Sequence, residues 1–536
     1  MSRTLSIRLA AVLAAATLAL HGAAWTQTPP PVPAGPPAIV CLQTFGPAAW
    51  RARLGPTNLG SMLASERAES IWRSYVDDAK ASLRHARRDE VAFTREWTRV
   101  LDYGGAIAVV VWLEQAEDAL HSARWSMAIV GEPDGHTDLA ALAAESAGWL
   151  GDSLGKERGR QWRDLTLVPP QVRDGRLVAV VACTEDADAV IARAVALRLP
   201  APPAPTALHV EIEVDEALGL ARDRPQDRDW LRALVGKATQ RVTFDLGCAG
   251  PRLALDTGVE FTAGDRGMLG GLLPIGKGVP AMEWLIPEGT AAHMTGHVDL
   301  TALWSTAVAA EAELRETDAA TVSKQWAKHL GLDVATDLAP HFADHAMLLW
   351  QASASEDKDR ALLGNLCIVV PLRDEPAAVA GLTALLPKLG HRAQVRQGVF
   401  LAERAGVLWM PALCLGIAND VACLAVGGNG REQVLAVIDR AAGGPPRTNP
   451  RAPEPAAPAG WNGAGRIDVE IMLGRHLASL GTLLRALTGA TLKLPRHDSL
   501  AREANRWLPL LQQHGLAVAT RLSGATPTTW QQRVLW

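Results

Sequence analysis

Histidines spaced for metal binding are the first residues of this chain that could do chemistry. His341 is followed by Asp344 and His345, and His293 is followed by His297. On one face of a helix, such spacing brings two imidazoles together, and Zn²⁺ binds imidazole and carboxylate groups. Neither segment has a helical pattern, because a proline directly precedes the first group and a glycine interrupts the second. We therefore predict surface or hydrogen-bonded histidines, with no metal ligand and no cofactor.

A possible nucleophile is Ser153, in the motif Gly-Asp-Ser-Leu at 151–154. This motif resembles the signature of the GDSL-type esterases and lipases, in which the serine is the nucleophile and a later Asp-x-x-His supplies the base. Here the motif follows the helical pattern of 139–150, and the Asp-x-x-His at 118–121 precedes the serine. A helix ending at a glycine explains the motif better, so we predict no catalytic residue.

Two further glycine-containing stretches have a structural explanation. Residues 271–278 nearly match the phosphate-binding P-loop, but Gly278 stands where Ser or Thr must hold magnesium. We interpret this stretch as a linker and predict no nucleotide partner. Gly416–Asp420 is similar to the Gly-x-Asn-Asp block of the GDSL family, has one residue too many, and is interpreted as a turn.

Carboxylates alternate with apolar residues in two stretches that are typical of strands. Glu211 and Glu213 form one pair, and Asp468 and Glu470 form the other. Paired carboxylates can share acid–base work. Alternation alone also predicts a solvated sheet face, and we adopt that interpretation.

Tryptophan is the dominant aromatic residue, with 18 against six Phe and two Tyr. Exposed indoles can form sugar-binding platforms. Most of these residues have apolar neighbours, which favours core packing. Core positions are predicted for Trp50, Trp112, Trp304 and Trp350, and exposed positions for Trp25, Trp461 and Trp536.

The chain contains an internal repeat, in which residues 39–270 correspond to residues 293–536. The spacings between matched landmarks differ only by lengths that loop insertions produce, so we predict a tandem duplication. The matched landmarks are Trp50 with Trp304, Ala108–Trp112 with Ala346–Trp350, and Val210–Ile212 with Val469–Ile471.

Proline-rich stretches at 199–206 and 443–459 divide each half into a front and a back lobe. The predicted domains are a first-half front lobe (39–198), a first-half back lobe (207–272), a second-half front lobe (293–442) and a second-half back lobe (461–536). For the first front lobe the patterns predict a strand at 39–45, helices over 47–99, strands at 106–113 and 125–131, a helix at 136–149, a strand at 178–183 and a helix at 186–197.

The back lobe is predicted to begin with a period-2 strand, Val210–Val214, followed by a helix that Asp215 caps. Short connections between strands favour antiparallel pairing. The fold class is therefore predicted to be α+β, a tandem duplication in which each half is an antiparallel sheet with helices packed mainly on one face.

The N-terminus has the order of a secretory signal peptide: Arg3 and Arg8, an apolar run at 9–20, and small residues at 22–24. Residues 1–24 are assigned to this signal, and residues 25–38 to a Pro-rich leader. We expect an exported protein, periplasmic or extracellular, with tethering by an uncleaved N-terminal segment as the alternative. No later apolar run is long enough for a spanning helix, so we expect a mature chain that does not span a membrane.

Composition limits the remaining possibilities. Hydrophobic residues make up 48% and charged residues 21%, which predicts a folded core, and the net charge of -4 does not favour nucleic-acid binding. Six cysteines lie mostly in apolar runs, where a free thiol behaves as a small hydrophobe. The pair suggested for a disulfide is Cys414 with Cys423, across the turn at 418–420.

The strand, turn and helix pattern behind a signal peptide loosely resembles exported bacterial proteins of unknown function, without a diagnostic motif. We predict a non-catalytic extracytoplasmic binding or scaffolding protein whose partner is an unidentified protein. The alternative is a carrier of an apolar ligand such as a lipid, held between sheet and helices. A secreted hydrolase is the third hypothesis.

Overall fold

The computed structural model describes residues 38–71, 73–74, 102–114, 124–144, 166–182, 187–197, 206–219, 236, 238–262, 278–351, 366–389, 392–404, 412–426, 430–444, 461–469, 471, 497–526 and 528–536. The strands are β1 Ala38–Phe45, β2 Ala106–Glu114, β3 Arg124–Gly131, β4 Thr166–Arg173, β5 Arg176–Ala182, β6 Thr206–Glu213, β7 Thr239–Ala249, β8 Arg252–Phe261, β9 Thr290–His297, β10 His345–Gln351, β11 Leu366–Pro371, β12 Arg392–Arg396, β13 Val399–Arg404, β14 Leu413–Ala418, β15 Val421–Val426, β16 Gly463–Asp468, β17 Val518–Ala525 and β18 Thr529–Leu535. The helices are α1 Pro47–Leu54, α2 Asn58–Leu63, α3 Ala187–Ala196, α4 Val214–Gly219, α5 Leu300–Leu314, α6 Ala319–Leu330, α7 Glu375–Leu385, α8 Gly430–Ala442 and α9 His497–Gln513.

Local sequence signals fix many of these boundaries. Asp318 caps the N-terminus of α6 by accepting a hydrogen bond from the backbone of Thr321, and Gly331 ends the same helix with a φ of 72°. Two-residue turns with positive φ at both positions join β4 to β5, β12 to β13 and β14 to β15. Such turns match the twist of antiparallel strands. The third of them, Asn419-Asp420, confirms the turn that was predicted at this position.

All eighteen strands belong to one antiparallel sheet. The neighbours run in the order β4, β5, β3, β2, β1, β6, β7, β8, β18, β17, β16, β9, β10, β11, β15, β14, β13, β12. An antiparallel sheet with attached helices is an α+β architecture. The sheet also crosses the expected lobe boundary, because β6 pairs directly with β1.

The sheet has the same order on both sides of the β8–β18 pair. Outward from β8 lie β7, β6, β1, β2, β3, β5 and β4, and outward from β18 lie β17, β16, β9, β10, β11, β15 and β14. Each strand of the first series has a counterpart in the second, and the counterparts follow one another in the same order along the chain. The hairpin β12–β13 has no counterpart and extends the second series by two strands. Asp256 of β8 and Arg533 of β18 are direct partners where the series meet. We call β1–β8 the first half and β9–β18 the second half.

Helices cover both faces of the sheet in the second half, which differs from the predicted arrangement on mainly one face. On β13, Leu401 lies in the core cluster with α8, whereas its neighbour Phe400 lies in the cluster with α6 and α7. Consecutive residues of a strand point to opposite faces. The apolar runs of β13–β15 therefore lack period-2 alternation because both of their faces are buried.

Strand register corrects one of the landmarks of the repeat. Trp112 is 1% exposed and packs in the core cluster that contains α3 residues. The matching helix of the second half, α8, covers Met347 and Leu349, whereas Trp350 is half-buried and points to the opposite face. The predicted match of Trp112 with Trp350 is wrong by one residue, because a slip of one position reverses every side chain.

A second landmark is also displaced. Val210–Ile212 lies within β6, but Val469 and Ile471 are helical and follow β16. Val214, which begins α4 directly after β6, holds the corresponding place. Asp215 therefore lies in the first turn of α4, and the predicted cap at this residue is wrong.

The patterns did not predict β4, which contains Pro169 and Pro170. Proline is tolerated in the outermost strand of a sheet, because the outer side of that strand has no neighbour that needs its backbone N–H as a donor. The pairing of β4 with β5 is irregular between Val168 and Gln171, at the two prolines. Within the described ranges, no helix has the length and apolar character needed to cross a bilayer. Residues 1–37 lie outside the described ranges, so the predicted signal peptide and nearly all of the leader do too.

Candidate functional site: a charged cluster on the shared sheet

Ionisable side chains concentrate on one face of the sheet near the junction of the two halves. His209, Asp245, Asp256 and Arg533 are successive direct partners on β6, β7, β8 and β18. Direct partners project from the same face of an antiparallel sheet, so these four side chains form a row. We call the following set the central charged cluster: His209, Glu211, Glu213, Arg241, Asp245, Asp256, Glu260 and Arg533.

His209 is held between two carboxylates. Its Nδ1 lies 2.8 Å from Oδ1 of Asp245, and its Nε2 lies 3.6 Å from Oε2 of Glu211. Burial acts to lower the pKa of His209, but the interactions with Asp245 and Glu211 outweigh it and raise this pKa to about 9. This direction favours the protonated imidazole at neutral pH, with Nδ1 donating a hydrogen bond to Asp245 and Nε2 facing the carboxylate of Glu211.

Arg241 holds the adjacent carboxylates. Its Nε lies 2.7 Å from Glu213 and 3.3 Å from Glu211, and its Nη1 lies 4.0 Å from Glu260. Burial acts to lower the pKa of Arg241, but these carboxylates raise it overall. Burial likewise acts to raise the pKa of Glu211, while His209 and Arg241 bring it below its ordinary value. The cations and anions of the cluster thus stabilise each other's charged forms.

Asp256 and Arg533 form a two-point ion pair at the junction of the halves. Nε and Nη2 of Arg533 each lie 2.7 Å from one carboxylate oxygen of Asp256. Burial raises the pKa of Asp256 despite the guanidinium, and the nearby Asp245 adds to this effect. Parallel hydrogen bonds of this kind fix geometry as well as charge, so this pair links β8 to β18 through side chains.

The arrangement of the cluster does not present His209 as a general base. A histidine in that role needs a ring nitrogen that is free to accept a proton, and both nitrogens of His209 face carboxylates. The neighbouring thiol of Cys41 is also poorly suited to attack, because burial raises its pKa to about 11. The side chains of the cluster neutralise one another's charges through ion pairs.

The predicted solvated face for the carboxylates of β6 is wrong. Glu211 and Glu213 have side chains that are 17% and 33% exposed and are paired with His209 and Arg241. The prediction failed because it considered each strand alone, whereas the adjacent strand β7 supplies the cation Arg241 and the further acid Asp245. In the second half, Asp468 ends β16, and Glu470 lies outside the described residues.

The structure brings the two predicted histidine groups together. His297 and His345 are direct partners on β9 and β10, with ring centres 6.5 Å apart. Asp344 contacts His345 at 3.3 Å, and the backbone oxygen of Asp344 lies 3.3 Å from Nδ1 of His297. Among the described residues, no group of three His, Cys, Asp or Glu side chains is arranged to hold a metal ion.

The remaining members of those histidine groups lie apart from this contact. His341 ends a short 3-10 turn, and His293 lies on β9 four residues before His297. Neither predicted group lies on an α-helix, as expected from the sequence, although His341 is the last residue of the 3-10 turn. The histidines that meet across β9 and β10 come from different groups, which sequence spacing alone does not reveal.

Ser153 and the P-loop-like residues up to 277 lie outside the described ranges. A different serine, Ser61, has its Oγ 3.3 Å from Nδ1 of His514. The other ring nitrogen of His514 is buried and has no hydrogen-bond partner within the described part of the chain. A catalytic histidine needs a group that orients it, so this contact does not by itself activate Ser61.

The predicted disulfide pair is present as free thiols. Cys414 pairs in register with Ala425, and Cys423 pairs with Gly416, so the two cysteines lie diagonally across the hairpin. A hydrogen bond with Cys367, together with burial, raises the pKa of the Cys423 thiol well above its ordinary value. The thiols act as small buried side chains of the core beneath α8.

Tryptophan positions differ in part from those predicted. Trp112 is fully buried, whereas Trp50, Trp304 and Trp350 are half-buried. Two of the residues predicted to be exposed, Trp461 and Trp536, are also half-buried, and Trp25 lies outside the described residues. Trp536 packs beside the core cluster formed by α2 and α9, which accounts for its partial burial.

Comparison of the chain with known proteins gives no match. No protein-family model, no curated protein and no solved structure matches the chain.

Proposed function

We propose that this chain is a non-catalytic, exported binding or scaffolding protein built from two copies of one module. The observation that carries the proposal is that both ring nitrogens of His209 face carboxylates within a cluster of mutually paired charges. Such a cluster stabilises a sheet, and it engages the imidazole that would be the most usual base for catalysis. The shared sheet then serves as the rigid frame on which a partner is held.

The equivalent strand order of the two halves supports the duplication. Eight strands recur in the same pairing order on each side of the β8–β18 junction. Helices α3 and α8 follow the equivalent strands β5 and β15 and pack on the equivalent face. A copied module accounts for all of these correspondences at once. Export rests on the N-terminal pattern of Arg3, Arg8 and the apolar run at 9–20.

The non-catalytic part of the proposal is tested with a generic ester substrate. Wild type, Ser153→Ala and Ser61→Ala are expected to give the same background hydrolysis. The Asp-x-x-His at 118–121 precedes Ser153 instead of following it, and the other ring nitrogen of His514, beside Ser61, has no orienting partner among the described residues. Loss of activity in either variant would establish a serine hydrolase and overturn the proposal.

The binding part is tested by native mass spectrometry of the full chain, purified under gentle conditions from the envelope of its own cells. We expect a complex with one protein partner in a fixed ratio. Organic extraction of the same sample distinguishes the alternative, since a carrier of apolar ligands would release a lipid in stoichiometric amount. A bare chain with neither partner nor lipid would contradict both hypotheses.

A further inference from the structure

The two ends of the sheet differ in how their outer strands are protected. Within the described residues, β4 pairs only with β5 at one end, and β12 pairs only with β13 at the other. An outer strand exposes backbone donors and acceptors, to which another extended chain can bind. Proteins usually block such strands with prolines, irregular pairing or charges.

The β4 end is blocked. Pro169 and Pro170 remove two backbone donors from the strand, and pairing is irregular beside them. Val172, an apolar residue of this strand, is 38% exposed. A chain that approached β4 would not find a regular ladder of backbone donors and acceptors.

The β12 end is open by comparison. Its five residues, Arg-Ala-Gln-Val-Arg, contain no proline and pair with β13 without irregularity. Val395 is 68% exposed, more than any other large apolar residue described. It lies directly opposite Phe400 of β13, which is buried in the adjoining core. A strand added outside β12 would cover Val395 and extend this core.

The charges of β12 select the kind of chain that fits. The strand carries Arg392 and Arg396 and no acidic residue, and Arg396 is exposed. Because side chains alternate, Arg396 lies on one face of β12 and Val395 lies on the other. A complementary strand therefore has acidic residues on one face and apolar residues on the other.

We propose that the outer edge of β12 binds an extended, acidic segment of a partner protein by strand addition. Backbone hydrogen bonds provide the ladder, an apolar side chain covers Val395, and a carboxylate meets the exposed Arg396. This site lies at the far end of the sheet from the central charged cluster. It goes beyond the proposed function and would stand even if that cluster served only to hold the sheet together.

The test uses the full chain and a fluorescein-labelled peptide of alternating glutamate and valine, seven residues long. Binding is followed by fluorescence anisotropy with protein up to about 1 mM, the range of weak single-strand contacts. A lysine–valine peptide of equal length is the charge control. We expect the glutamate peptide to bind at least about tenfold more tightly, with a preference that shrinks as salt rises.

Two variants locate the site, and a third controls for position. Val395→Asp is expected to weaken binding about tenfold, and Arg396→Glu to abolish the preference for glutamate over lysine. Val172→Asp, the matched change on β4, is expected to leave affinity within about twofold. Circular dichroism checks that each variant is folded. If Val395→Asp does not fold, Arg396→Glu decides the outcome, because Arg396 is exposed and its substitution should not disturb the fold.

Three results would overturn the inference. One is equal affinity for the glutamate and lysine peptides, and another is equal loss in the β4 and β12 variants. The third is self-association of the full chain that Val395→Asp abolishes, measured by sedimentation, because a second copy would then occupy the edge.

Discussion

The two halves have the same strand order but place different chemistry on the equivalent row of the sheet. In the first half the row continues from Gln43 to His209 and Asp245. In the second half it continues from Thr295 to Ala464 and Leu522. Gln43 on β1 and Thr295 on β9 are both buried. We therefore match these two residues with each other and compare the rows that begin at them. The comparison shows that one backbone plan accepts either an ionic or an apolar row.

The rows meet at Asp256 and Arg533. There the last carboxylate of the ionic row is paired with an arginine of the second half. A partly buried charge is costly unless another charge satisfies it, so the first half needs its whole set of partners. The second half avoids that requirement with Ala464 and Leu522. The side chains of the central charged cluster therefore depend on one another, and we expect such a set to be kept or replaced as a whole.

The largest contrast between the halves is expected at the two tryptophans that the sequence pattern had matched. Trp112→Ala should lower the free energy of unfolding by about 4 kcal/mol, because it empties a core position beneath α3. Trp350→Ala should cost about half as much, since Trp350 is half-buried on the opposite face. Urea unfolding of both variants measures the difference, and equal losses would contradict the one-residue correction of the register.

Arg533→Met tests the ion pair at the junction. Removal of the guanidinium leaves Asp256 largely buried and without its two-point partner, so we expect a loss of about 3 kcal/mol in the free energy of unfolding. Arg73→Met provides the control, because Arg73 forms an exposed pair with Glu69. Its cost should be below about 0.5 kcal/mol. A small effect of Arg533→Met would show that this ion pair contributes little to joining the halves.

Much of the fold was accessible from the sequence because alternating or β-branched runs predict strands directly. The strands β1, β2 and β3 were predicted within a residue or two. Exact register was not accessible, because a tryptophan next to valines provides no signal of which face it occupies. The prolines of β4 argued against a strand, and only its position at the end of the sheet explains why they are tolerated.

The candidate site was harder to predict, because its members come from four strands. Alternation identified Glu211 and Glu213 as residues of one face, but their shared partner Arg241 lies on β7. The ion pair that completes the cluster, between Asp256 and Arg533, joins strands still farther apart in the chain. A usable signal was present in β7, where Arg241 and Asp245 occupy the same face. Antiparallel pairing of β6 with β7 would have predicted opposite charges across the two strands.

Reconstruction of the ionic row in the second half would sharpen the comparison. Leu522→Asp places a carboxylate at the position equivalent to Asp245, where Ala464 offers it no partner on one side. On the other side its direct partner is Arg533, whose Nε and Nη2 are already bonded to Asp256, so the change should cost about 2 kcal/mol in urea unfolding. Adding Ala464→His should recover about half of this loss by supplying the equivalent of His209. If the double variant is no more stable than Leu522→Asp alone, the equivalence of the rows is wrong.

The smallest effect expected is the pH dependence that His209 confers on the first half alone. Its pKa is raised to about 9 in the folded protein, whereas an unfolded histidine titrates near 6.5. The stabilisation is therefore fully present below about pH 6.5 and disappears as pH rises through about 9. With solvent screening included, we expect wild type to lose about 1.5 kcal/mol more than His209→Gln between pH 6.5 and pH 9.5.

Urea unfolding at several pH values measures this difference, and the second half supplies a matched control. Ala464→Gln introduces the same amide at the equivalent position but removes no charge, so its stability should follow the wild-type dependence on pH. Parallel curves for wild type and His209→Gln would mean that the carboxylates around His209 do not hold its proton. The two halves would then differ in residue type at this row without differing in electrostatics.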